Sequence, residues 1–222
     1  FHPIDIGPRT LKNRFYQVPH CTGMGYNLPQ THAAMRRVKA EGGWGAVCTE
    51  YCSISPDTDD APYPFQTIWD DRDVKNLSMM VSGVHEYNSL AGIELLAGGS
   101  YVANMNVRRP ALGAVSLQSA VEPLQSRAMD KSDIVDLRRT DRSAVKRAIQ
   151  AGFDIIYVYA THWYLFTEFL SPKVNTRTDE YGGTALNRSR IIREIIEDSL
   201  EEIKGQAALA VRFSANGEDM PM

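Results

Sequence analysis

The sequence predicts an α/β fold built on a parallel sheet. Apolar segments with strand character alternate with helical segments along the 222 residues. Polar side chains also collect where the strands end, which is the edge at which parallel α/β folds bind ligands. At 43% hydrophobic and 23% charged residues, the chain can bury a sizeable core. These observations fit either a TIM barrel or an open doubly wound sheet.

The first half of the pattern contains three strands and two helices. The strands are predicted at residues 14–20, 44–51 and 90–96. The first helix runs over residues 31–41, and Gly42-Gly43 ends it. Asp73 is the expected N-cap of the second helix, which extends to about Ser89.

The second half begins with a long irregular stretch, residues 98–131. Loops of this length are uncommon and are often functional. A helix then starts at Ser132 or Asp133 and ends near Ala151-Gly152, and a strand follows over residues 153–159. The last predicted helix, residues 187–204, carries an apolar stripe, and a fifth strand covers residues 207–213.

Composition excludes several functional classes. The net charge of −3 argues against nucleic-acid binding, and the chain has neither a long apolar run nor a signal peptide. An odd number of cysteines, three, does not form a disulfide framework. We therefore expect a cytoplasmic protein in which Cys48 and Cys52 are packing residues. His2, His32 and His85 are expected on the surface or at helix caps.

Polar side chains mark the end of every predicted strand. They are His20 and Cys21, Glu50 and Tyr51, Glu94, Tyr159 and His162, and Arg212. A G-x-G-x-x-G fingerprint does not follow the first strand, which disfavours a dinucleotide-binding sheet.

The most specific motif occupies residues 169–190, FLSPKVNTRTDEYGGTALNRSR. It resembles the signature of the old yellow enzyme family, F-L-x-P-x-x-N-x-R-x-D-x-Y-G-G-x-x-x-N-R. The resemblance implies a (β/α)8 TIM barrel that binds FMN. Because a whole TIM barrel has about 250 residues, we expect residues 1–222 to be an incomplete FMN-binding barrel domain with about five β/α units. Arg177 and Asp179 are predicted to pair and fix the motif's loop.

Within that family, the chain resembles the trimethylamine dehydrogenase branch. The similar segments are residues 13–21, 39–44, 49–54 and 151–162. In that branch, a cysteine in this context is joined covalently to carbon 6 of FMN, which implies a covalent link at Cys21. The flanking Val18, Pro19 and His20 match as well. A buried packing thiol is the alternative.

The resemblance also assigns roles to two isolated charged residues. Glu94 aligns where the family hydrogen-bonds the pyrimidine edge of the flavin. Arg212 aligns with an arginine beside the flavin's N1/C2 oxygen, where a cation stabilises negative charge on the reduced ring. A plain buried ion pair is the alternative.

Three residues near the fourth strand are catalytic candidates by resemblance. Tyr159 and His162 match the amine branch, where the pair and a downstream Asp, expected beyond Met222, tune substrate protonation. Tyr164 aligns with the proton-donor tyrosine of ene-reductases. Tyr51 aligns with an aromatic bowl that holds a methylated ammonium by cation–π attraction, and its presence favours a tertiary amine.

The activity implied is oxidative N-demethylation of trimethylamine or a similar N-methylated amine, with two electrons passing to FMN. The resemblance further implies a [4Fe-4S] cluster with ligands outside this chain, an electron-transferring flavoprotein as acceptor, and a homodimer. Two rivals remain: an NAD(P)H-dependent ene- or 2,4-dienoyl-CoA-type reductase, and a barrel that has lost flavin binding.

Overall fold

The central element of the protein is a parallel sheet of five strands. The computed structural model describes residues 1–58, 63–101, 109–118 and 124–214. The strands are β1 (Ile4–Ile6), β2 (Arg9–Leu11), β3 (Tyr16–Gln17), β4 (Ala46–Ser53), β5 (Leu90–Leu96), β6 (Leu112–Gly113), β7 (Arg127–Ala128), β8 (Ile155–Ala160) and β9 (Ala208–Phe213). The central sheet has the order β3-β4-β5-β8-β9, and every neighbouring pair is parallel.

The helices form a single layer outside this sheet. They are α1 (Pro29–Glu41), α2 (Asp71–His85), α3 (Lys131–Ala151), α4 (Leu165–Leu170), α5 (Ala185–Arg188) and α6 (Arg190–Ile203). Helix α1 contacts α2, α2 contacts α3, and α3 contacts α6. The strand order never reverses, and the neighbouring helices share one side of the sheet. This curled half-barrel with helices on one face confirms the TIM-barrel prediction and excludes a doubly wound sheet.

The inner face of the sheet is closed at the strands' N-terminal ends by the antiparallel hairpin β1–β2. Leu11 of the hairpin packs with Ala46, Cys48, Ile155 and Ala208 in a separate inner cluster. Gly7 turns the hairpin with a φ of +54°, and a Cβ at this position would lie 3.3 Å from the Cβ of Ala208. The hairpin therefore covers the apolar floor of the barrel.

The predicted elements are confirmed with shifted ends. Strand β5 has the predicted bounds, whereas the first sheet strand covers only Tyr16–Gln17. The N-cap of α2 is Asp70, not Asp73, because Asp70 accepts from the backbone while Asp73 completes a capping box at the third helical position. Likewise α3 begins at Lys131, capped by Asp130. The prediction missed β1, β2, β6, β7 and α4. Residues 102–108 and 119–123 of the long loop lie outside the described residues.

The prediction for His32 was wrong. His32 is 1% exposed, and its Nε2 accepts a hydrogen bond from the Nε of Arg36 at 3.1 Å. A buried polar side chain needs such a partner. His85 is exposed at the end of α2, as predicted, and pairs through Nε2 with the buried carboxylate of Asp154 at 2.7 Å.

The motif over residues 169–190 forms the connection between α4 and α6. The guanidinium of Arg177 binds Asp179 through two hydrogen bonds, 3.0 and 2.5 Å long. It also donates to the carbonyls of Ala114 and Met129. The prediction that this pair fixes the loop is confirmed, and Arg177 ties the loop to the segments flanking β6 and β7.

Candidate active site

A bulge in β4 sets the direction of Tyr51. The register to β5 shifts between Cys48 and Tyr51, so β4 carries one residue more than its partner over this step. Tyr51 is then level with Glu94, and Glu94 is level with Tyr157 of β8. The bulge thereby places the Tyr51 ring with the aromatic residues at the strands' C-terminal ends.

These aromatic residues form one connected cluster. Tyr51, Tyr159 and Tyr164 pack with Leu96, and Phe65 and Tyr101 lie against them. The ring of Phe65 stacks on Tyr51 with a centroid distance of 5.3 Å and an angle of 11°. Tyr164 lies 6.3 Å from Tyr51 and 5.1 Å from Tyr159. The three predicted tyrosines are therefore brought together.

Tyr159 and His162 are joined by a hydrogen bond of 2.5 Å between the phenolic oxygen and Nδ1. The chain turns sharply here, because His162 and Trp163 both have positive φ, at 55° and 62°. Such conformations are costly for residues with a Cβ and concentrate at functional sites. Burial, and then the charge of Arg212, lower the pKa of His162. The imidazole is therefore held neutral and can accept a proton.

Glu94 and Arg212 meet on the same inner face. Glu94 is 1% exposed, and its Oε1 lies 3.1 Å from Nη1 of Arg212. Burial raises the pKa of Glu94 to about 7, although Arg212 acts in the opposite direction. The guanidinium carbon of Arg212 also lies 5.5 Å from the centre of the Tyr159 ring. The buried ion pair is present, and it adjoins the Tyr159–His162 pair.

Cys21 belongs to the chain that leaves β3 at the same edge. Pro19 is buried, whereas Val18, His20 and Cys21 are exposed. The backbone N–H of His20 donates to the carbonyl of Thr49 at 3.1 Å, which continues the pairing of β3 with β4. Cys48 and Cys52 are fully buried, as predicted.

The electrostatics of Arg212 connect Cys21 to the rest of the site. Burial disfavours the charged guanidinium, but Glu94 outweighs it, with smaller contributions from Tyr159 and Cys21, so the pKa of Arg212 is raised. Glu94, Tyr159 and Cys21 therefore all act to raise the pKa of Arg212.

The sequence analysis assigned no role to Glu50 and did not identify Phe65. Glu50 was recognised only as a polar residue at a strand end. It is fully buried and accepts three backbone hydrogen bonds from residues 22–25. An acidic residue in an apolar strand was the signal that singled out Glu94, and it applied equally to Glu50. Phe65 lies in a loop, and nothing in its local sequence marks it.

Comparisons with known proteins identify the family of the chain. The family model for NADH:flavin oxidoreductase / NADH oxidase matches residues 1–222. The chain belongs to this family. Within it, the chain is 40% identical to dimethylamine dehydrogenase of Hyphomicrobium sp. (strain x), over 97% of this chain and 30% of that protein. It is 34% identical to NADPH dehydrogenase of Bacillus subtilis (strain 168), over 97% of this chain and 63% of that protein.

Solved structures of the family share the fold of the chain. Histamine dehydrogenase from Rhizobium sp. 4-9 matches with a TM-score of 0.94 and 41% identity, over 97% of this chain and 32% of that one. The old yellow enzyme homologue from Zymomonas mobilis matches at 0.84 and 25%, over 95% and 62%. The chain thus spans about a third of the amine dehydrogenases that it matches.

The donor set at the strand ends fits a flavin ring. Glu94 offers a buried carboxyl group, Arg212 a guanidinium with 32% of its side chain exposed, and Cys21 an exposed thiol. A carboxyl group on β5 and a cation on β9, which meet across β8, match the polar pyrimidine edge of an isoalloxazine. No group of three or more potential metal ligands occurs among the residues that the structure describes. No described helix is long and apolar enough to cross a bilayer.

Proposed function

We propose that the protein is an FMN-dependent amine dehydrogenase that removes a methyl group from trimethylamine or a similar N-methylated amine. The observation that supports this most directly is the 2.5 Å hydrogen bond from Tyr159 to His162, beside Tyr51 and the Glu94–Arg212 pair. Residues 1–222 form part of the FMN-binding barrel, with Val18, Pro19, His20 and Cys21 along one border of the ring site.

FMN, when bound, supplies the two-electron acceptor for the carbon–nitrogen bond. Glu94 would hold the pyrimidine edge of the ring, Arg212 would favour negative charge near it, and Cys21 would supply the thiol for a covalent link. The Tyr159 oxygen accepts a proton from the protonated amine while its own proton passes to Nδ1 of His162. The neutral His162 is suited to this transfer. Water then hydrolyses the oxidised substrate to formaldehyde and the shorter amine.

The substrate class follows from Tyr51. Its ring forms part of an aromatic wall with Phe65 and Tyr164. An aromatic face attracts a methylated ammonium by about 0.5–2 kcal/mol and offers no hydrogen-bond partner to a primary amine. This favours a substrate with several N-methyl groups.

For the whole protein, we propose transfer of the electrons through a [4Fe-4S] cluster to an electron-transferring flavoprotein, and assembly as a homodimer. The three cysteines of this chain do not form a cluster-binding motif, so the cluster's ligands would come from other residues.

A second candidate is an NADPH-dependent ene-reductase, because the chain also resembles NADPH dehydrogenases and retains Tyr164 at the proton-donor position. Tyr159 argues against it, since the resemblance places a carbonyl-binding histidine at this position in ene-reductases.

An anaerobic visible spectrum of the full-length protein distinguishes the two. Trimethylamine is expected to bleach the flavin and NADPH to leave it oxidised. Bleaching by NADPH alone would establish the ene-reductase. If the amine is active, Tyr51→Leu should raise the KM for trimethylamine about tenfold with little change in kcat. Met80→Leu, in the outer core, serves as the control for apolar repacking.

A further inference from the structure

Two buried charged side chains hold the chain on either side of Cys21. Glu50 binds the segment that follows Cys21. Its Oε2 accepts hydrogen bonds from the N–H of Thr22 at 2.6 Å and of Gly23 at 2.8 Å, and its Oε1 accepts from the N–H of Gly25 at 2.6 Å. One carboxylate thus binds three backbone N–H groups within the four residues that follow Cys21.

Arg36 of α1 binds the segment that precedes Cys21. Its Nη2 donates to the carbonyl of His20 at 2.5 Å, and its Nη1 donates to Oε1 of Gln17 at 3.3 Å. The side chain is fully buried. Burial lowers the pKa of Arg36, and Glu50 is the strongest influence in the opposite direction.

The side chain of Glu50 is tightly packed against its neighbours. A Cβ at Gly25 would lie 2.7 Å from Oε1 of Glu50 and 2.5 Å from the side-chain amide of Gln66. Glu50 itself sits in the bulge of β4 that directs Tyr51 inward. Burying a carboxylate and a guanidinium is costly, and each needs its hydrogen bonds to be tolerated. The Cys21 segment therefore has one strongly preferred position.

We infer that Arg36 and Glu50, here termed the Cys21 clamp, are positioning residues that hold the thiol of Cys21 at the strand ends for attachment to the flavin. This inference rests on the proposed covalent link. In that link a carbon–sulfur bond forms while an S–H and a ring C–H bond break. Two electrons and two protons leave to an oxidant, either dioxygen or the flavoprotein acceptor. Such a step depends on holding the reacting atoms together.

The test uses Glu50→Gln in the full-length protein, because the amide turns one acceptor into a donor that faces backbone N–H groups. Glu168→Gln is the matched control. Glu168 is also a buried carboxylate that accepts backbone N–H groups, from Ser100 and Ala114, in a different loop. Two quantities are measured: amide hydrogen exchange of a peptide covering residues 22–25, and the fraction of FMN that stays on the protein after denaturation.

For Glu50→Gln we expect at least tenfold faster exchange in that peptide and at least a fivefold smaller covalent fraction. Glu168→Gln should keep the wild-type values of both. Faster exchange with an undiminished covalent fraction would overturn the positioning role, and so would unchanged exchange. If Glu50→Gln fails to fold, Arg36→Lys takes its place, because lysine keeps the charge but cannot reach both Gln17 and His20. For this variant, exchange is measured in a peptide covering residues 17–21, and the covalent fraction is measured as before.

The same data separate this inference from the proposed function. A wild-type protein without covalent FMN, combined with faster exchange in Glu50→Gln, would refute the covalent link and retain the clamp as the ordering element of the segment. A wild-type protein with covalent FMN, combined with no effect of either variant, would retain the link and refute the clamp.

Discussion

At the scale of single residues, the hydrogen bond between Tyr159 and His162 carries the proposed proton transfer. Tyr159→Phe keeps the ring against Arg212 and Tyr164 but removes the phenolic oxygen. We expect flavin reduction by the amine to slow by about 10²-fold, which is at the lower end for loss of general acid–base help. Stopped-flow absorbance under anaerobic conditions measures this rate.

Tyr157 supplies the control for that substitution. It lies two residues earlier on β8, and its hydroxyl donates to the hydroxyl of Tyr16 at 2.5 Å, deeper inside the barrel. When the protein is saturated with FMN, Tyr157→Phe should change the rate of flavin reduction by no more than about twofold. Equal slowing in both variants would mean that the loss comes from altered packing of β8 and not from proton transfer.

His32 gives a residue-scale prediction about pH. Burial and then the charge of Arg36 lower its pKa to about 3. Between this value and the ordinary 6.5, the unfolded chain binds a proton that the folded chain does not, so stability falls as the pH drops through this window. His32→Gln removes this contribution, which has a maximum slope of about 1.4 kcal/mol per pH unit.

The thermal midpoint between pH 7 and 4.5 tests this prediction. His32→Gln is expected to lose less stability on acidification than the wild type, whereas exposed His2→Gln should follow the wild-type curve. Parallel curves for His32→Gln and the wild type would show that His32 is protonated in the folded protein.

At the scale of elements, the contact between α3 and α6 depends on Asp198. Its carboxylate, with a side chain 6% exposed, binds Nε of Arg138 at 2.6 Å and Nη1 of Arg142 at 2.8 Å. Asp198→Asn removes the carboxylate that both arginines share and leaves Arg138 with Glu194 and Arg142 with Glu201 and Glu202. We expect a loss of about 2–3 kcal/mol in the free energy of unfolding, below the 3–5 kcal/mol of a fully buried pair because the arginines are one-third exposed.

Urea unfolding followed by circular dichroism measures this loss. Glu201→Gln is the control, since Glu201 binds the same Arg142 but has a side chain 67% exposed. Exposed ion pairs contribute at most about 1 kcal/mol. Similar losses in the free energy of unfolding for both variants would mean that apolar residues, and not Asp198, stabilise this contact.

The elements also show which parts of the fold the sequence predicts. Long segments such as β5 and α3 are predictable because a continuous apolar run marks a strand buried on both faces, and apolar residues at helical spacing mark a helix buried on one face. Three-residue strands such as β1 and β2 are too short for any period to appear. The bulge in β4 escapes notice because an extra residue in an all-buried strand leaves the apolar pattern unchanged.

The same limits apply to the site. Glu94 and Arg212 are predictable because each is an isolated charge in an apolar strand. Arg36 is not, because an arginine in the middle of a helix usually faces solvent, and only its contact with His20 shows that it points inward. Phe65 lies in a loop and contacts Tyr51. A tertiary contact of this kind cannot be predicted from the local sequence.

At the scale of the whole molecule, the two faces of the sheet hold separate apolar clusters. The outer cluster lies under the helices and includes Cys52, while the inner one includes Cys48 and is covered by Leu11 of the N-terminal hairpin. A charge placed at Leu11 would therefore disturb only the inner face.

Leu11→Asp is expected to cost about 3 kcal/mol, because a carboxylate would be buried without a partner. Cys48 should become alkylated at least tenfold faster, since its cover would open, while Cys52 on the outer face keeps its protection. Mass spectrometry after timed labelling distinguishes the two thiols within one sample. Val135→Asp, at an exposed position of α3, should change the alkylation rate of neither thiol. If both thiols open together in Leu11→Asp, the hairpin stabilises the whole half-barrel, and its loss would release the sheet and helices as one cooperative unit.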